Sequence, residues 1–206
     1  MTHELILAAQ KLSRFVVGTE GNLSMRVDDG FLIKKSGTSF DDMKIVKCNK
    51  TGESDAGKPS MEVSFHAFIY NNSDYDVIAH THPTNTLKIL CTSLIDDFAG
   101  KRFFPDQVVF NGPSSCVVPY ATPGECLTRA IELVTRDHDK FPSLFLLKNH
   151  GIICCAHTLK EAIIMTEICE KAAEIFIGSA YPDCLTPQQI ADIQSHPDEI
   201  HRKQLQ

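Results

Sequence analysis

Short apolar runs alternate with helical segments along this chain, and two of the runs are joined by Asp28-Asp29-Gly30. An Asp-Gly pair between β-like runs, here 23–27 and 31–35, is a strong hairpin signal. Hairpins mixed with helices, rather than strict β-α-β units, favour antiparallel pairing. The sequence therefore predicts an α/β fold with a mixed, mostly antiparallel central sheet and helices on both faces.

Apolar periodicity and turn residues indicate the other elements. The predicted helices span 3–15, 60–70, 85–91, 123–136 and 158–179, and a short one opens at Thr186. The other predicted strands span 45–49, 75–80, 108–110, 116–119, 144–147 and 152–156. Ser60 is expected to be the N-cap of the helix over 60–70. No change of composition divides the chain, so residues 1–206 are predicted to form one domain, with a peripheral tail after about residue 183.

Composition limits the function classes. The chain has 206 residues, 43% hydrophobic and 22% charged, as is ordinary for a globular protein. Its net charge is −6, which argues against a general nucleic-acid or anionic-membrane partner. An anionic substrate would have to be bound by local groups.

The eight cysteines do not have the setting of a disulfide framework. The first ten residues do not form a signal sequence, and no C-x-x-C pair occurs. Cysteines inside apolar segments are typical of buried free thiols, and four fit this description: Cys91, Cys154, Cys155 and Cys169. We expect a reducing cytoplasm.

Three histidines follow two predicted strands. His80 and His82 follow the strand that starts at Tyr75, and His150 follows the strand over 144–147. In an extended chain, side chains at i and i+2 point to the same side, so His80 and His82 could share one ion and His150 could supply a third ligand. Three imidazoles with one open position form a catalytic zinc site. Scattered core or loop histidines are the alternative.

Two loops of small residues, 18–22 and 36–39, carry a second signal. Such loops expose backbone N–H groups and hydroxyls that suit a phosphate, and Ser60 at a helix start would add a hydroxyl. The same glycines also fit simple tight turns. Neither loop matches a nucleotide-binding fingerprint.

The order of these motifs resembles that of the class II aldolase and adducin head family. Gly-x-x-Gly-Asn-x-Ser, Ser-Gly-Thr, Pro-Ser-x-Glu, His-x-His-Pro and Asn-His-Gly follow one another between about Leu5 and Ala180. The resemblance implies a three-layer αβα sandwich, a C4 homotetramer and a metal site near a subunit interface.

The resemblance also implies roles for individual residues. His80, His82 and His150 match the metal ligands, with Zn²⁺ or another divalent transition metal as the cofactor. Glu62 matches the carboxylate that serves as acid or base. The phosphate-binding positions correspond to Thr19, Gly21, Asn22, Ser36, Gly37 and Ser60. Met61 departs from the aldolase pattern, which has a second serine there, and this removes one hydroxyl from the phosphate site.

A second proton carrier is less well defined. Fuculose-phosphate aldolase-like members use a tyrosine of the neighbouring subunit, and the matching stretch here, 103–108, contains none. Asp106 is the candidate by similarity to the epimerase-like members, although it could simply lead into a strand. Tyr181 is another candidate. His66, one helical turn after Glu62, could orient that carboxylate or could be a packed helix histidine.

The resemblance implies a zinc-dependent aldolase that cleaves a ketose 1-phosphate or related sugar phosphate through a metal-stabilised enediolate. Sugar-phosphate 4-epimerase, dehydratase and sugar-acid phosphate decarboxylase are alternatives on the same site. A non-catalytic, adducin-like assembly module is a further alternative, but such heads lose the metal ligands that this chain keeps. The expected partner is a small phosphorylated sugar or sugar acid.

Overall fold

A computed structural model describes residues 1–136, 138–180 and 182–204. Helices span Thr2–Leu12 (α1), Val63–Asn72 (α2), Thr84–Leu90 (α3), Ile95–Gly100 (α4), Pro105–Asn111 (α5), Glu125–Thr135 (α6), Leu159–Gly178 (α7), Pro187–Ser195 (α8) and Pro197–Gln204 (α9). Strands span Asn22–Val27 (β1), Gly30–Lys34 (β2), Ile45–Asn49 (β3), Val77–Thr81 (β4), Cys116–Val118 (β5), Leu144–Leu147 (β6) and Gly151–Ala156 (β7). Among these residues, no helix combines the length and apolar character needed to cross a bilayer.

The strands form one seven-stranded sheet in the order β3-β2-β1-β4-β7-β6-β5. Every neighbouring pair is antiparallel except β5 and β6. The prediction of a mixed, mostly antiparallel α/β sheet is therefore confirmed. The predicted hairpin is formed by β1 and β2, in which Val27 pairs with Gly30.

Helices cover both faces of the sheet because its strands are apolar on both sides. On β4, Val77 and Ala79 pack with residues of α1, α3, α4, α5 and α7, whereas Ile78 packs with residues of α2 and α6. This alternation follows from the period of two along a strand. The result is a three-layer αβα sandwich, and the β1-β4-β7 centre of the sheet is buried between the helical layers.

Three local predictions were wrong. Residues 108–110 lie in helix α5, which begins at Pro105 and buries Val108 and Phe110, because a short apolar run fits a buried helix as well as a strand. Helix α2 begins at Val63 with Glu62 as its N-cap residue, so Ser60 lies before the helix. Cys91 is exposed, because it follows the last turn of α3.

The C-terminal region lies outside the sandwich. Helix α8 begins with a capping box between Thr186 and Gln189, and none of its residues is buried. Both α8 and α9 contact α5.

Candidate active site

Three histidines converge where β4 ends and β7 begins. His80 lies in β4 and His82 follows that strand. His150 lies in the turn between β6 and β7, where Asn149 adopts a φ of +55°. One ring nitrogen of each histidine lies within 4.8 Å of the others. The structure thus brings the three predicted metal ligands together.

Gly151 allows the cluster to be this compact. A Cβ at this position would lie 2.4 Å from Cδ2 of His82 and 2.5 Å from the Thr81 carbonyl oxygen. Any side chain at residue 151 would therefore displace His82. The Asn-His-Gly motif supplies one predicted ligand and also leaves room for another.

The histidines fit a divalent metal ion. The Nε2 atoms of His80 and His82 are 3.2 Å apart, close to the edge of about 3.3 Å of a tetrahedron with Zn–N bonds of 2.0–2.1 Å. Nδ1 of His80 lies 2.8 Å from the Ile152 carbonyl oxygen, and Nδ1 of His82 lies 3.3 Å from Oε2 of Glu20. Such outer contacts orient metal-binding imidazoles.

Burial keeps these imidazoles in their ligating form. It lowers the pKa of His80 to about 3 and that of His82 to about 4. It also lowers the pKa of His150. The lone pairs are therefore available to a metal at neutral pH.

Glu62 is the carboxylate next to the cluster. It is buried at the start of α2, with Oε2 3.3 Å from Nε2 of His80 and Oε1 3.5 Å from Nε2 of His150. Burial raises the pKa of Glu62, although His150 and a hydrogen bond from Asn22 oppose this. A carboxyl group with a raised pKa can both accept and return a proton near neutral pH.

A buried chain of polar groups lies behind Glu62. The Asn22 amide donates to Glu62 at 2.8 Å, so its oxygen accepts from Nε2 of His66. Nδ1 of His66 then accepts from the Ser24 hydroxyl at 2.7 Å, and Ser24 accepts from the Tyr70 hydroxyl at 2.7 Å. Burial lowers the pKa of His66 well below its usual value, which keeps this ring neutral. His66 thus acts on Glu62 through Asn22 rather than directly.

A polar cavity of about 240 Å³ opens beside Glu62, His82 and His150. Every predicted phosphate-binding residue lines this cavity: Thr19, Gly21, Asn22, Ser36, Gly37 and Ser60. Together these residues form what we call the cradle. Met61 also lines the cavity and is 69% exposed.

The position of the cradle relative to the histidines depends on Gly21. Its φ is +63°, and a Cβ there would lie 2.6 Å from the His80 carbonyl oxygen. Asn22, the next residue, pairs with His80 across β1 and β4. The first cradle loop, 18–22, is therefore packed directly against the strand that carries His80.

Two residues lining the cavity were missed by the sequence analysis. Lys34, the last residue of β2, lies within the cavity wall. Its ammonium group contacts both loops of the cradle, 18–22 and 36–39. Glu20 places a second carboxylate there and contacts His82. The only sequence signals were their positions, Lys34 two residues before Ser36-Gly37 and Glu20 inside the first glycine loop.

The two other candidate proton carriers are not part of this cluster. Asp106 lies on α5 and forms an ion pair with Arg202 of α9, so one protomer does not bring it to the histidines. Tyr181 lies outside the described residues.

A largely buried three-histidine cluster, an adjacent carboxyl group and a polar cradle on an αβα sandwich define a class of metal-dependent enzyme. The chain belongs to the class II aldolase and adducin N-terminal domain family, whose model matches residues 4–177. The prediction of a metal-dependent enzyme of this family is confirmed, because the relatives below are enzymes.

Two curated relatives and one solved structure show where the chain lies within the family. It is 33% identical to the 3-oxo-tetronate 4-phosphate decarboxylase of Escherichia coli K12 over 190 residues, 88% of each chain. It is 28% identical to the L-fuculose phosphate aldolase of Methanococcus maripaludis C7 over 168 residues, 79% of this chain and 87% of that one. The crystal structure of Escherichia coli YgbL, described as an aldolase, epimerase or decarboxylase, superposes with a TM-score of 0.82 at 29% identity, covering 94% of this chain and 97% of YgbL.

Proposed function

We propose that this enzyme decarboxylates a phosphorylated 3-oxo sugar acid such as 3-oxo-tetronate 4-phosphate. The similarity to the decarboxylase of Escherichia coli K12 is higher, and covers more of the chain, than the similarity to the fuculose phosphate aldolase of Methanococcus maripaludis C7. This proposal replaces ketose 1-phosphate cleavage, expected from motif order alone, as the leading activity.

The proposed cofactor is zinc, because three imidazoles with an open position are typical of catalytic zinc sites. A divalent ion held by His80, His82 and His150 would supply a Lewis acid for negative charge that develops on a substrate oxygen. The cradle would hold the phosphate, and Asn22 would hold the Glu62 carboxyl towards the reacting carbon.

The position of Glu62 is the observation that carries the proposal. When a 3-oxo acid loses CO₂, the bond to the carboxylate carbon breaks and its electron pair moves towards the 3-oxo oxygen. One proton is then added to carbon. Glu62 is the one buried carboxyl group beside the histidines among the described residues, and its raised pKa suits the return of that proton.

Aldol cleavage is the second candidate, and Glu20 favours it. Cleavage removes a proton from a substrate hydroxyl and adds one to carbon, so two proton transfers are needed. Glu20 lines the same cavity with 45% of its side chain exposed and could accept the hydroxyl proton. Both reactions can leave the same fragment, dihydroxyacetone phosphate.

We also propose a homotetramer in a reducing cytoplasm. Three apolar side chains on loops are 78%, 69% and 62% exposed, namely Val17, Met61 and Tyr120. They offer apolar area for a subunit contact. All eight cysteines are free thiols, which suits a reducing compartment.

The deciding experiment supplies the zinc-loaded enzyme with 3-oxo-tetronate 4-phosphate and, separately, with L-fuculose 1-phosphate. We expect equimolar CO₂ and dihydroxyacetone phosphate from the first substrate and slow or no turnover of the second. Efficient cleavage of the ketose phosphate to dihydroxyacetone phosphate and an aldehyde, without turnover of the acid, would overturn the proposal in favour of the aldolase.

A further inference from the structure

Helix α3 joins the two segments that carry the histidines. It begins two residues after His82. At its other end, the Leu90 carbonyl accepts a hydrogen bond from the backbone N–H of Asn149 at 3.0 Å, and Asn149 directly precedes His150. One short helix therefore sets the spacing between the chain that leaves His82 and the chain that enters His150.

The first turn of α3 is capped by a side chain from another helix. Its own N-cap residue is Pro83, which has no side-chain acceptor, so the first N–H groups of the helix need other partners. The Glu170 carboxylate of α7 accepts hydrogen bonds from the N–H groups of Asn85 and Thr86, both at 2.8 Å, and from the Thr86 hydroxyl at 2.9 Å. A carboxylate at a helix N-terminus also interacts favourably with the helix dipole. Glu170 thus attaches α3 to α7.

His82 and His150 need such support because both lie outside the strands. β4 ends one residue before His82 and β7 begins one residue after His150, so only His80 of the three belongs to a strand. The turn before His150 contains Asn149, whose φ of +55° is uncommon for a residue with a side chain, and the bond to Leu90 holds that turn. A shift of α3 would therefore move His82 and His150 relative to His80 and change the distances between the ring nitrogens.

We propose that Glu170 is a positioning residue for the three-histidine site. By capping α3, it fixes the helix whose two ends set the places of His82 and His150, so that the ring nitrogens lie close enough together for one ion. This role rests on the proposed function, in which the three histidines bind a divalent ion. Glu170 supplies no ligand itself, so its substitution should weaken metal binding while all three imidazoles remain.

The test is the zinc affinity of the purified protein, measured by competition with a zinc-sensitive dye. Glu170→Gln keeps the shape of the side chain but loses its charge, and it is compared with Glu174→Gln, on the next turn of α7, where the side chain is exposed. Zinc should bind about 10- to 100-fold more weakly to Glu170→Gln, as is typical when an outer partner of a metal site is lost. Glu174→Gln should stay within about twofold of the wild type, as most surface substitutions do. Equal zinc affinity of Glu170→Gln and the wild type would overturn the proposal, whereas a wild type that binds no zinc would reject the metal site and the proposal with it.

A second measurement separates positioning from a general loss of stability. The visible absorption spectrum of the Co²⁺-loaded protein reports the geometry around the ion. It should differ between Glu170→Gln and the wild type, and it should be the same in Glu174→Gln and the wild type. An unchanged cobalt spectrum in a Glu170→Gln protein that is merely less stable to heat would overturn the proposal.

Thr86→Val applies if Glu170→Gln does not fold, because this change deletes one of the three hydrogen bonds to the Glu170 carboxylate and leaves the two N–H bonds. Loss of one hydrogen bond should weaken zinc binding about three- to tenfold, and an unchanged zinc affinity would overturn the proposal. None of these measurements requires turnover. Zinc binding that depends on Glu170, in a protein that releases no CO₂, would reject the decarboxylase and keep the role of Glu170.

Discussion

Glu62 and Asp106 are both carboxylates that the sequence analysis proposed for proton transfer, and the fold places them in opposite surroundings. Glu62 is buried against His80 and His150, and burial raises its pKa. Asp106 has a side chain 40% exposed and is paired with Arg202. Asp106 thus faces a guanidinium at the surface, whereas Glu62 is buried beside neutral imidazoles, where a carboxyl group can exchange a proton.

The difference shows that, within one protomer, a motif position alone does not bring a carboxylate to the histidines. Both residues follow a short loop and lie at or near the start of a helix. Only Glu62 lies on the face of the sheet where Asn22, Ser60 and the histidines meet. Four substitutions, ordered from the largest expected effect to the smallest, test this contrast.

His82→Ala should abolish both metal retention and activity, because two imidazoles rarely hold a catalytic zinc ion. Elemental mass spectrometry of the purified variant should give close to zero metal, against about one ion per chain in the wild type. His157→Ala, which removes an exposed histidine, is the matched control. Full activity of a metal-free His82→Ala protein would remove the histidines from the reaction.

Glu62→Gln should keep the metal and lower kcat about 10²- to 10⁴-fold, because the amide cannot carry the proton. The same variant should fail to exchange the carbon-bound hydrogen of dihydroxyacetone phosphate with deuterated solvent, which NMR can follow. A kcat near the wild-type value would exclude Glu62 as the proton carrier.

Glu20→Gln should weaken zinc binding about 10- to 100-fold, because the Nδ1 atom of His82 loses its carboxylate partner. Competition with a zinc-sensitive dye measures this affinity. Glu53→Gln is a suitable control, since Glu53 is an exposed carboxylate hydrogen-bonded to Asn49. If zinc affinity is unchanged but ketose phosphate cleavage is lost, Glu20 serves the aldol reaction rather than the metal.

Asp106→Asn should have the smallest effect, with kcat within about threefold of the wild type. Asp106 lies away from the histidines of its own protomer, and a surface ion pair contributes little to stability, so its loss should leave the site folded. Steady-state kinetics beside Glu62→Gln makes the comparison direct. A loss as deep as that of Glu62→Gln would mean that Asp106 works in the site of a neighbouring subunit.

The resemblance in motif order predicted that the histidines and the cradle residues lie together, and backbone geometry explains why the structure brings them together. The i, i+2 spacing of His80 and His82 and the glycines at residues 21 and 151 have few structural solutions. The order of the motifs along the chain also predicted that the cradle lies beside the histidines. The structure has this arrangement because β1 and β4 pair in the sheet and place Asn22 opposite His80.

The burial of Lys34 and the first residue of α2 could not be predicted from the sequence in the same way. Lysine is almost always exposed, so only the meeting of the two cradle loops reveals that Lys34 is buried. Ser60 has the residue type of an N-cap, but its backbone N–H is bonded to the Lys34 carbonyl. Because of that tertiary contact, helix α2 begins only at Val63. The apolar run at 108–110 was ambiguous for the same reason, because its partners on α7 lie far away in sequence.

The antiparallel pairing of β4 with β7 has a consequence for how the protein withstands unfolding. His80 and Ile152, which are in contact, lie 72 positions apart in the sequence, and His150 is next to this junction. An ion bound there acts as a cross-link through the middle of the sheet, closing a long loop of chain. Since the ligands are gathered only in the folded state, the free energy of ion binding adds to that of folding. With an ion held there, the resistance of the sheet to heat would depend in part on the concentration of free metal around the protein.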